Sequence, residues 1–312
     1  MFKVLLIALL SITSTLANDS VFRKFMEYTH EFDKHYTSPE EFLTRFAIFK
    51  TNLLDVLAHD KFSSEQHKRG INQFSDLTFE EFKATYLNLK APSNKYCSSS
   101  KLEFYDAPAS HDWRAKGMVS DVKNQGSCGS CWAFSVVGFL ESQSLMKGKK
   151  DKFTEQQLVD CNKTTYGCQG GWPDLAFKYL QTAGIEAEAS YPYTARDGTC
   201  QYSSSKVIGK TANVKCWENP TVATLQSQLY TIGPLTIVVD ASDFQSYSSG
   251  VLSCRHNSSM NHAVLLVGYT PDSWIIKNSW GKNWGQQGFI TVSNKTGQNC
   301  LVGSYMVSSD LN

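Results

Sequence analysis

Between Gln125 and Leu140 the chain reads Gln-Gly-Ser-Cys-Gly-Ser-Cys-Trp-Ala-Phe-Ser-Val-Val-Gly-Phe-Leu. The first part is glycine and small polar residues, a loop able to run close to another chain. From Ser130 the character changes. Ser130 is a residue type that caps helices, and Trp132, Val136, Phe139 and Leu140 recur at helical spacing. Cys131 therefore falls in the first turn of a predicted helix, where unpaired backbone N–H groups and the helix dipole favour an anion. The thiolate is the nucleophilic form of cysteine, so this position is expected to lower the thiol pKa. Taken alone, Cys128-x-x-Cys131 is also open to other readings: a redox pair, half of a zinc site, or two structural cysteines.

Two distant residues decide among these. His262 and Asn278 stand 131 and 147 residues beyond Cys131, in Asn261-His-Ala-Val-Leu-Leu-Val-Gly268 and Lys277-Asn-Ser-Trp-Gly281. No second C-x-x-C completes a zinc site, and a βαβ context for a redox pair is lacking. The Cys-Gly-Ser-Cys-Trp stretch and its downstream histidine and asparagine resemble the papain family of cysteine proteases. The chemistry of peptide cleavage then needs four roles. Cys131 attacks the carbonyl, and His262 handles the thiol proton and passes it to the leaving amine. Asn278 holds the imidazole, and Gln125 with the Cys131 backbone N–H receives the oxyanion. Trp280 is expected to cover the Asn–His pair from water. The family's substrate cleft maps onto Gly170, Gly171, Trp172, Pro173, Val238, Met260, Asn261 and Tyr305.

At 312 residues the chain holds one large domain or two ordinary ones, and its net charge of +1 gives no footprint for nucleic acid. Residues 1–17 carry Lys3, the apolar run Val4–Leu10 and the end Thr15-Leu-Ala17, the pattern of a secretory signal cut after Ala17. No other apolar run is long enough to span a bilayer. The mature chain is expected in the secretory pathway, bound for a lysosome, a vacuole or the outside, where cysteines form disulfides. Asn162, Asn257 and Asn294 head glycosylation sequons.

Residues 18–106 read as a separate segment. Ser38-Pro39-Glu40-Glu41 signals a helix start with a capping box. Glu41, Arg45, Phe49, Asn52 and Val56 follow on one face, with Glu41 and Arg45 spaced to pair. These residues are similar to the ERFNIN pattern of cathepsin L-type pro-regions, with Val56 and Asp60 in place of its isoleucine and last asparagine. Gly70-Ile-Asn72-Gln-Phe74-Ser-Asp76 is similar to their GxNxFxD motif. The resemblance implies a helical inhibitory pro-domain laid backwards through the cleft, with a cut linker near 91–106. The two parts carry formal charges of −2 and +2, so release in acid is a family expectation rather than a result of charge counting.

Residues 107–312 are then the mature peptidase domain, a helical lobe over about 107–215 and a β lobe over about 216–312. Helices are predicted at Cys131, at Thr154-Glu-Gln-Gln157, and from Trp172-Pro173 to Gly184. Apolar, β-branched runs at Leu235–Val239, Ala263–Val267, Trp274–Lys277 and Phe289–Val292 read as strands. Helices first and strands second give an α+β class. This suits the papain-like two-lobed fold, a helical lobe and a β-barrel-like lobe.

The family's disulfide pattern matches Cys128 with Cys168, Cys161 with Cys200, and Cys254 with Cys300. It leaves over Cys97 and Cys216, whose pairing stays open. Cathepsin H keeps a disulfide-linked piece of its pro-region and is an aminopeptidase, but its partner cysteine would fall at Tyr305. Asn261 stands where the family often has aspartate, and Asp121 where papain has proline. The function expected is a cysteine endopeptidase made as a zymogen, with an apolar preference two residues before the cut. The alternatives are a cathepsin H-like aminopeptidase or a non-catalytic inhibitory homologue. Neither cofactor nor metal is expected. The expected partners are peptide substrates, the chain's own pro-segment and cystatin-like inhibitors, on a monomer.

Overall fold

The structure, a computed structural model, describes residues 19–92, 97 and 104–312. The expected leader over 1–17 and much of the expected linker lie outside the described residues.

The pro-segment builds a small globule. Helix α1 covers 19–31 of the described residues, α2 spans Pro39–Phe62 and α3 spans Phe79–Tyr86. Phe25, Tyr28, Phe49 and Leu53 form its core. Ser38 caps α2 by accepting the Glu41 amide. Glu41 does not pair with Arg45, however. Its carboxylate accepts from the Thr37 amide and hydroxyl, both at 2.7 Å. Arg45 instead donates to both carboxylate oxygens of Glu81, at 2.9 and 2.8 Å. The cause is local: Glu41 is held at its own helix end, and Arg45 finds the carboxylate that closes the α3 capping box. Asn52 donates to the Ser75 and Leu77 carbonyls, and Asp76 accepts from Tyr28, Tyr36 and Lys34. The two motifs meet where Asn52 reaches the Ser75 carbonyl and Arg45 donates to the Asp76 carbonyl.

The segment is not all helical. Strand β1 (His67–Arg69) pairs antiparallel with an enzyme strand, with His67 opposite Gly250. This short strand lacks any apolar alternation, so only the tertiary partner declares it.

Beyond residue 107, β2 is His111–Asp112, α4 is Cys131–Met146, α5 is Gln156–Cys161 and α6 is Pro173–Ala183. Strands β3 (Ile185–Glu186) and β4 (Val207–Gly209) make a two-stranded sheet. Then come β5 (Thr211–Trp217), α7 (Val222–Ile232), β6 (Leu235–Val239) and β7 (Tyr247–Leu252). Last are β8 (His262–Tyr269), β9 (Ser273–Lys277), β10 (Phe289–Ser293) and β11 (Tyr305–Leu311). The large sheet runs β1-β7-β10-β9-β8-β6-β11-β5, with β2 added against β8. The chain therefore crosses between lobes early: β2 precedes the helices yet belongs to the sheet.

The helical spacing of Trp132, Val136, Phe139 and Leu140 marks α4 but not how deeply it is buried. It is buried on almost every side, Ser135, Glu141, Ser142 and Ser144 included. A helix packed all round has no solvent face to mark. It lies between α6 and strands β6, β8 and β11, which fixes its amino-terminal end at the junction of the lobes.

Three expected disulfides are present, Cys128–Cys168, Cys161–Cys200 and Cys254–Cys300, and Cys97–Cys216 is a fourth. Cys131 is the free cysteine among the described residues. Of the three sequons, Asn162 fits poorly: it is only 3 % exposed and its Nδ2 donates to the Leu175 carbonyl. A glycan on that atom would break the contact and open the end of α5. Asn257 and Asn294 also donate through Nδ2, to the Cys254 and Gly297 carbonyls and to the Pro271 carbonyl, and differ from Asn162 in being partly exposed.

Candidate active site

Two cleft walls meet at the start of α4. Cys131 is its first residue, and Ser130 occupies the cap position but makes no side-chain cap. Its hydroxyl lies 2.7 Å from that of Tyr193, whose own O–H donates to the Gln125 carbonyl at 2.8 Å. The loop before Cys131 is therefore stitched down rather than capped. Gln125 N–H also donates to the Ser279 carbonyl at 2.8 Å, and Asn124 bridges to Trp280. The loop carrying Gln125 is thus tied across the cleft to the segment carrying Asn278.

On the other wall His262 opens β8 and Asn278 follows β9. Pairing of these two strands brings the ends together. His262 Nε2 lies 2.8 Å from Asn278 Oδ1. The Ser279 backbone N–H, which can only donate, lies 2.8 Å from the same atom, so that atom is the amide oxygen. Nε2 must then carry the proton, leaving Nδ1 as the nitrogen available for proton transfer. The indole of Trp280 lies over the pair, 4.8 Å from the His262 ring centre.

The Gln125 side chain is engaged at both ends: Nε2 donates to the Cys128 carbonyl at 2.9 Å, and Oε1 accepts from Ser279 Oγ at 2.7 Å. Ser279, which no motif singled out, therefore positions both Gln125 and Asn278.

The pro-segment closes this site. Phe74, Phe82 and Tyr86 surround Trp280, with ring centres 5.3, 5.4 and 6.1 Å from it. Asn72 Nδ2 donates to the Gln245 carbonyl, and Gln73 Nε2 to the Trp280 carbonyl. After α3 the chain runs extended through the cleft: Leu89 N–H donates to the Asn261 carbonyl and Lys90 N–H to the Gly171 carbonyl. One dipeptide thereby spans both walls. Gly170 permits this approach. Its φ is +111°, and a Cβ there would stand 2.3 Å from the Asn88 carbonyl oxygen.

Covering the site changes its chemistry. The expected lowering of the Cys131 pKa is reversed: burial pushes the thiol up to about 12, only partly offset by the backbone N–H groups of Ala263, Trp132 and Cys131 itself. Burial likewise pushes His262 down to about 4, against the opposing influence of Asn278 and the Tyr86 carbonyl. That carbonyl is near the ring, but Nδ1 meets no hydrogen-bond partner. In this covered form both groups favour their neutral states.

Of the expected cleft residues, Gly171 and Asn261 lie on opposite walls, and four others make one apolar surface. Trp172, Val238 and Tyr305 are buried in the cluster that also holds Leu89, with Met260 packed at its edge. Pro173 opens α6. Val238 stands opposite Tyr305 on one side and Ala263 on the other. Asn261 turns its amide away, donating to Asp240 Oδ1 and Ser242 Oγ, and presents its carbonyl to Leu89. Behind the wall is a residue the sequence reading passed over. Asp174 is fully buried and accepts from Tyr305 O–H at 2.9 Å, beside Cys216 Sγ at 3.2 Å from that hydroxyl. Its place after Trp-Pro had only the look of an acidic helix start.

Also unforeseen is a charged cluster behind the site. Lys123 Nζ contacts Glu141, Glu155 and Glu188 at 2.8, 2.9 and 3.5 Å. Lys277 Nζ donates to Ser120 Oγ at 3.0 Å. Burial pushes Glu155 up, against the pull of Lys123, and pushes Lys277 down to about 8. Because Lys277 adjoins Asn278, this cluster supports the wall that carries the imidazole.

A thiol at a helix start, a histidine of fixed tautomer facing the same cleft, and a pro-segment closed over both define a cysteine peptidase in zymogen form. The sequence profile described as papain family cysteine protease matches residues 107–309, and that of the cathepsin propeptide inhibitor domain matches 25–82. A viral cathepsin of Choristoneura fumiferana nuclear polyhedrosis virus is 38 % identical over 281 residues, covering 86 % of each chain. Digestive cysteine proteinase 1 of Homarus americanus is 36 % identical over 319 residues, covering 96 % of each. Among solved structures, digestive procathepsin L2 proteinase from Tenebrio molitor larval midgut superposes with a TM-score of 0.87. It is 33 % identical, with 93 % of this chain and 99 % of that one covered. The chain belongs to the papain family of cysteine proteases.

Proposed function

We propose that this zymogen, once its pro-segment leaves, is an endopeptidase of the secretory pathway that cuts through Cys131, His262, Asn278 and Gln125. The observation that carries the reading is the Nε2–H to Asn278 bond, which leaves Nδ1 to take the thiol proton. In the proposed reaction, Cys131 Sγ adds to the scissile carbonyl while the oxyanion is received by Gln125 Nε2 and the Cys131 N–H. The imidazolium then protonates the leaving amine, and water, deprotonated by His262, hydrolyses the thioester. Gln125 Nε2 donates one of its two protons to the Cys128 carbonyl and would offer the other to the oxyanion. A test compares two variants. His262→Ala should lower kcat by more than Asn278→Ala, because the asparagine only orients the group that moves the proton. The reverse order would refute these roles.

Specificity is proposed from the pocket wall. Trp172, Val238, Met260 and Tyr305 offer apolar surface, and the pro-segment already sets Leu89 against it. An ionised side chain would lose its hydration there, since Tyr305 stands between the wall and Asp174. Substrates with leucine or valine two residues before the cut should surpass those with phenylalanine, and arginine should be poor. Tyr305→Ala should shift preference toward phenylalanine by about 1–3 kcal/mol. An arginine substrate with the highest kcat/KM would overturn the pocket assignment.

The Cys97–Cys216 bridge favours a second reading. It ties the segment before residue 107 to the strand beside Tyr305, so cuts on both sides of Cys97 would leave a peptide fixed near the cleft. Such a peptide would narrow the enzyme toward aminopeptidase action. Signal cleavage after Ala17, glycans on Asn257 and Asn294, cystatin-like inhibitors and a lysosomal or extracellular site complete the proposal.

A further inference from the structure

The turn joining α2 to β1 gathers three side chains of metal-binding type. One ring nitrogen each from His59 and His67 and a carboxylate oxygen of Glu65 all lie within 4.8 Å of one another. Ligands at the usual distance of about 2.0–2.2 Å from a tetrahedral zinc stand roughly 3.3–3.5 Å apart, so closure needs only small side-chain rotations. Two of the atoms are spare. His67 is 3 % exposed, and its Nδ1 lies 3.2 Å from Glu65 Oε2. The two are not aligned as a hydrogen bond, and neither buried atom has another hydrogen-bond partner. Leaving such atoms unpaired in a folded protein is costly, which points to a missing third body. His59 Nε2 lies 3.3 Å from the His67 carbonyl oxygen, the kind of backbone contact that orients a ligating imidazole.

The surrounding charge allows a cation. Arg69 and Arg255 both act on His67. Arg69, however, is held by the Asp55 carboxylate, and Asp60 accepts from its backbone N–H at 3.2 Å. Two imidazoles and one carboxylate suit zinc(II) among the common divalent ions, with a fourth position left for water.

We propose that His59, Glu65 and His67 form a zinc-class metal site that clamps the pro-segment to the enzyme. The placement gives it that consequence. His59 lies in the last turn of α2, whereas His67 begins β1, the strand paired with enzyme strand β7. Across this joint Gly250, at φ +82°, admits the Gln66 carbonyl, which a Cβ would meet at 2.2 Å. An ion bound here would couple the end of the helical globule to the strand docked on the enzyme. It lies outside the catalytic cleft and does not depend on the cleavage chemistry proposed above.

The test uses the full-length proform carrying Cys131→Ser, which removes the catalytic thiol as a rival ligand and prevents self-processing. Titration with zinc(II) against a chromophoric chelator should give one tight equivalent per chain. His67→Gln and Glu65→Gln should each weaken it at least tenfold. Cobalt(II) in place of zinc should show the intense visible bands of a four-coordinate site, and these should disappear in His59→Gln. Trypsin cleavage after Lys61, Lys68 or Arg69 should slow at least tenfold with saturating zinc in the parent and not in the variants. No tight equivalent, or one that all three substitutions leave unchanged, would overturn the site. Tight binding without protection from trypsin would overturn the clamp.

Discussion

Replacing Cys131 by serine should remove peptidase turnover by roughly 10³-fold or more while leaving the pro-segment docked. Serine is close in size and lacks the readily formed anion. The site it enters is fully buried, and neither neighbouring disulfide, Cys128–Cys168 or Cys161–Cys200, involves it. Docking rests on other contacts: the rings of Phe74, Phe82 and Tyr86 around Trp280, and the β1–β7 pairing. The purified variant should therefore show the thermal midpoint of the parent zymogen and no activity after added protease removes the pro-segment. Substantial activity in the variant would remove Cys131 as nucleophile.

The second large effect is one of pH. His262 is held at about 4 when covered, against an ordinary value of 6.5, and burial is the main cause. Asn278 and the Tyr86 carbonyl oppose the shift, and no charged side chain is among its causes. An uncovered His262 takes up a proton as pH falls through 6.5, whereas the covered one does so only near 4. The covered state is thus most favoured above pH 6.5 and loses its advantage as pH falls toward 4, by about 3 kcal/mol in all. The raised Cys131 pKa works in the opposite sense, favouring uncovering as pH rises, so it does not cause release in acid. Amide exchange at Leu89 and Lys90, corrected for intrinsic rates, should be about 10²-fold faster at pH 4.5 than at pH 7.5. Equal protection at both values would separate pro-segment release from His262. The −2 and +2 charges of the two parts do not by themselves establish this effect, which comes from desolvation of one imidazole.

Elements with a local signature were legible. Pro173 and Gly184 bracket α6 where the sequence punctuates it. The apolar runs at Leu235–Val239 and Phe289–Val292 lie in β6 and β10. Strand β7, Tyr-Ser-Ser-Gly-Val-Leu, was not legible, because it is stabilised by its neighbours β1 and β10 rather than by its own composition. The same applies to β1. The residues proposed for catalysis could be picked out because each sits in distinctive local sequence surroundings, whereas their ionisation could not. A helix start does favour a thiolate, but that influence is modest beside the burial that Leu89 and its neighbours impose. Asp174 and the Lys123–Glu141–Glu155 cluster act through distant partners that their sequence neighbourhoods do not mark, and Ser279, although inside the Asn278 motif, reveals its hold on Gln125 only in the fold.

The central claim is that residues 86–90 of the pro-segment keep Cys131 neutral and inaccessible until they leave. A peptide-epoxide label added to the purified proform at neutral pH, and again after acidification, tests it directly by intact mass. Essentially no label should attach before acidification. Afterwards one label should be found on Cys131 in a species lighter by about 10 kDa, the mass of residues 18–106 at ordinary residue weights, read after reduction so that the Cys97–Cys216 bridge retains nothing. Rapid labelling of Cys131 in the intact neutral proform would contradict the account.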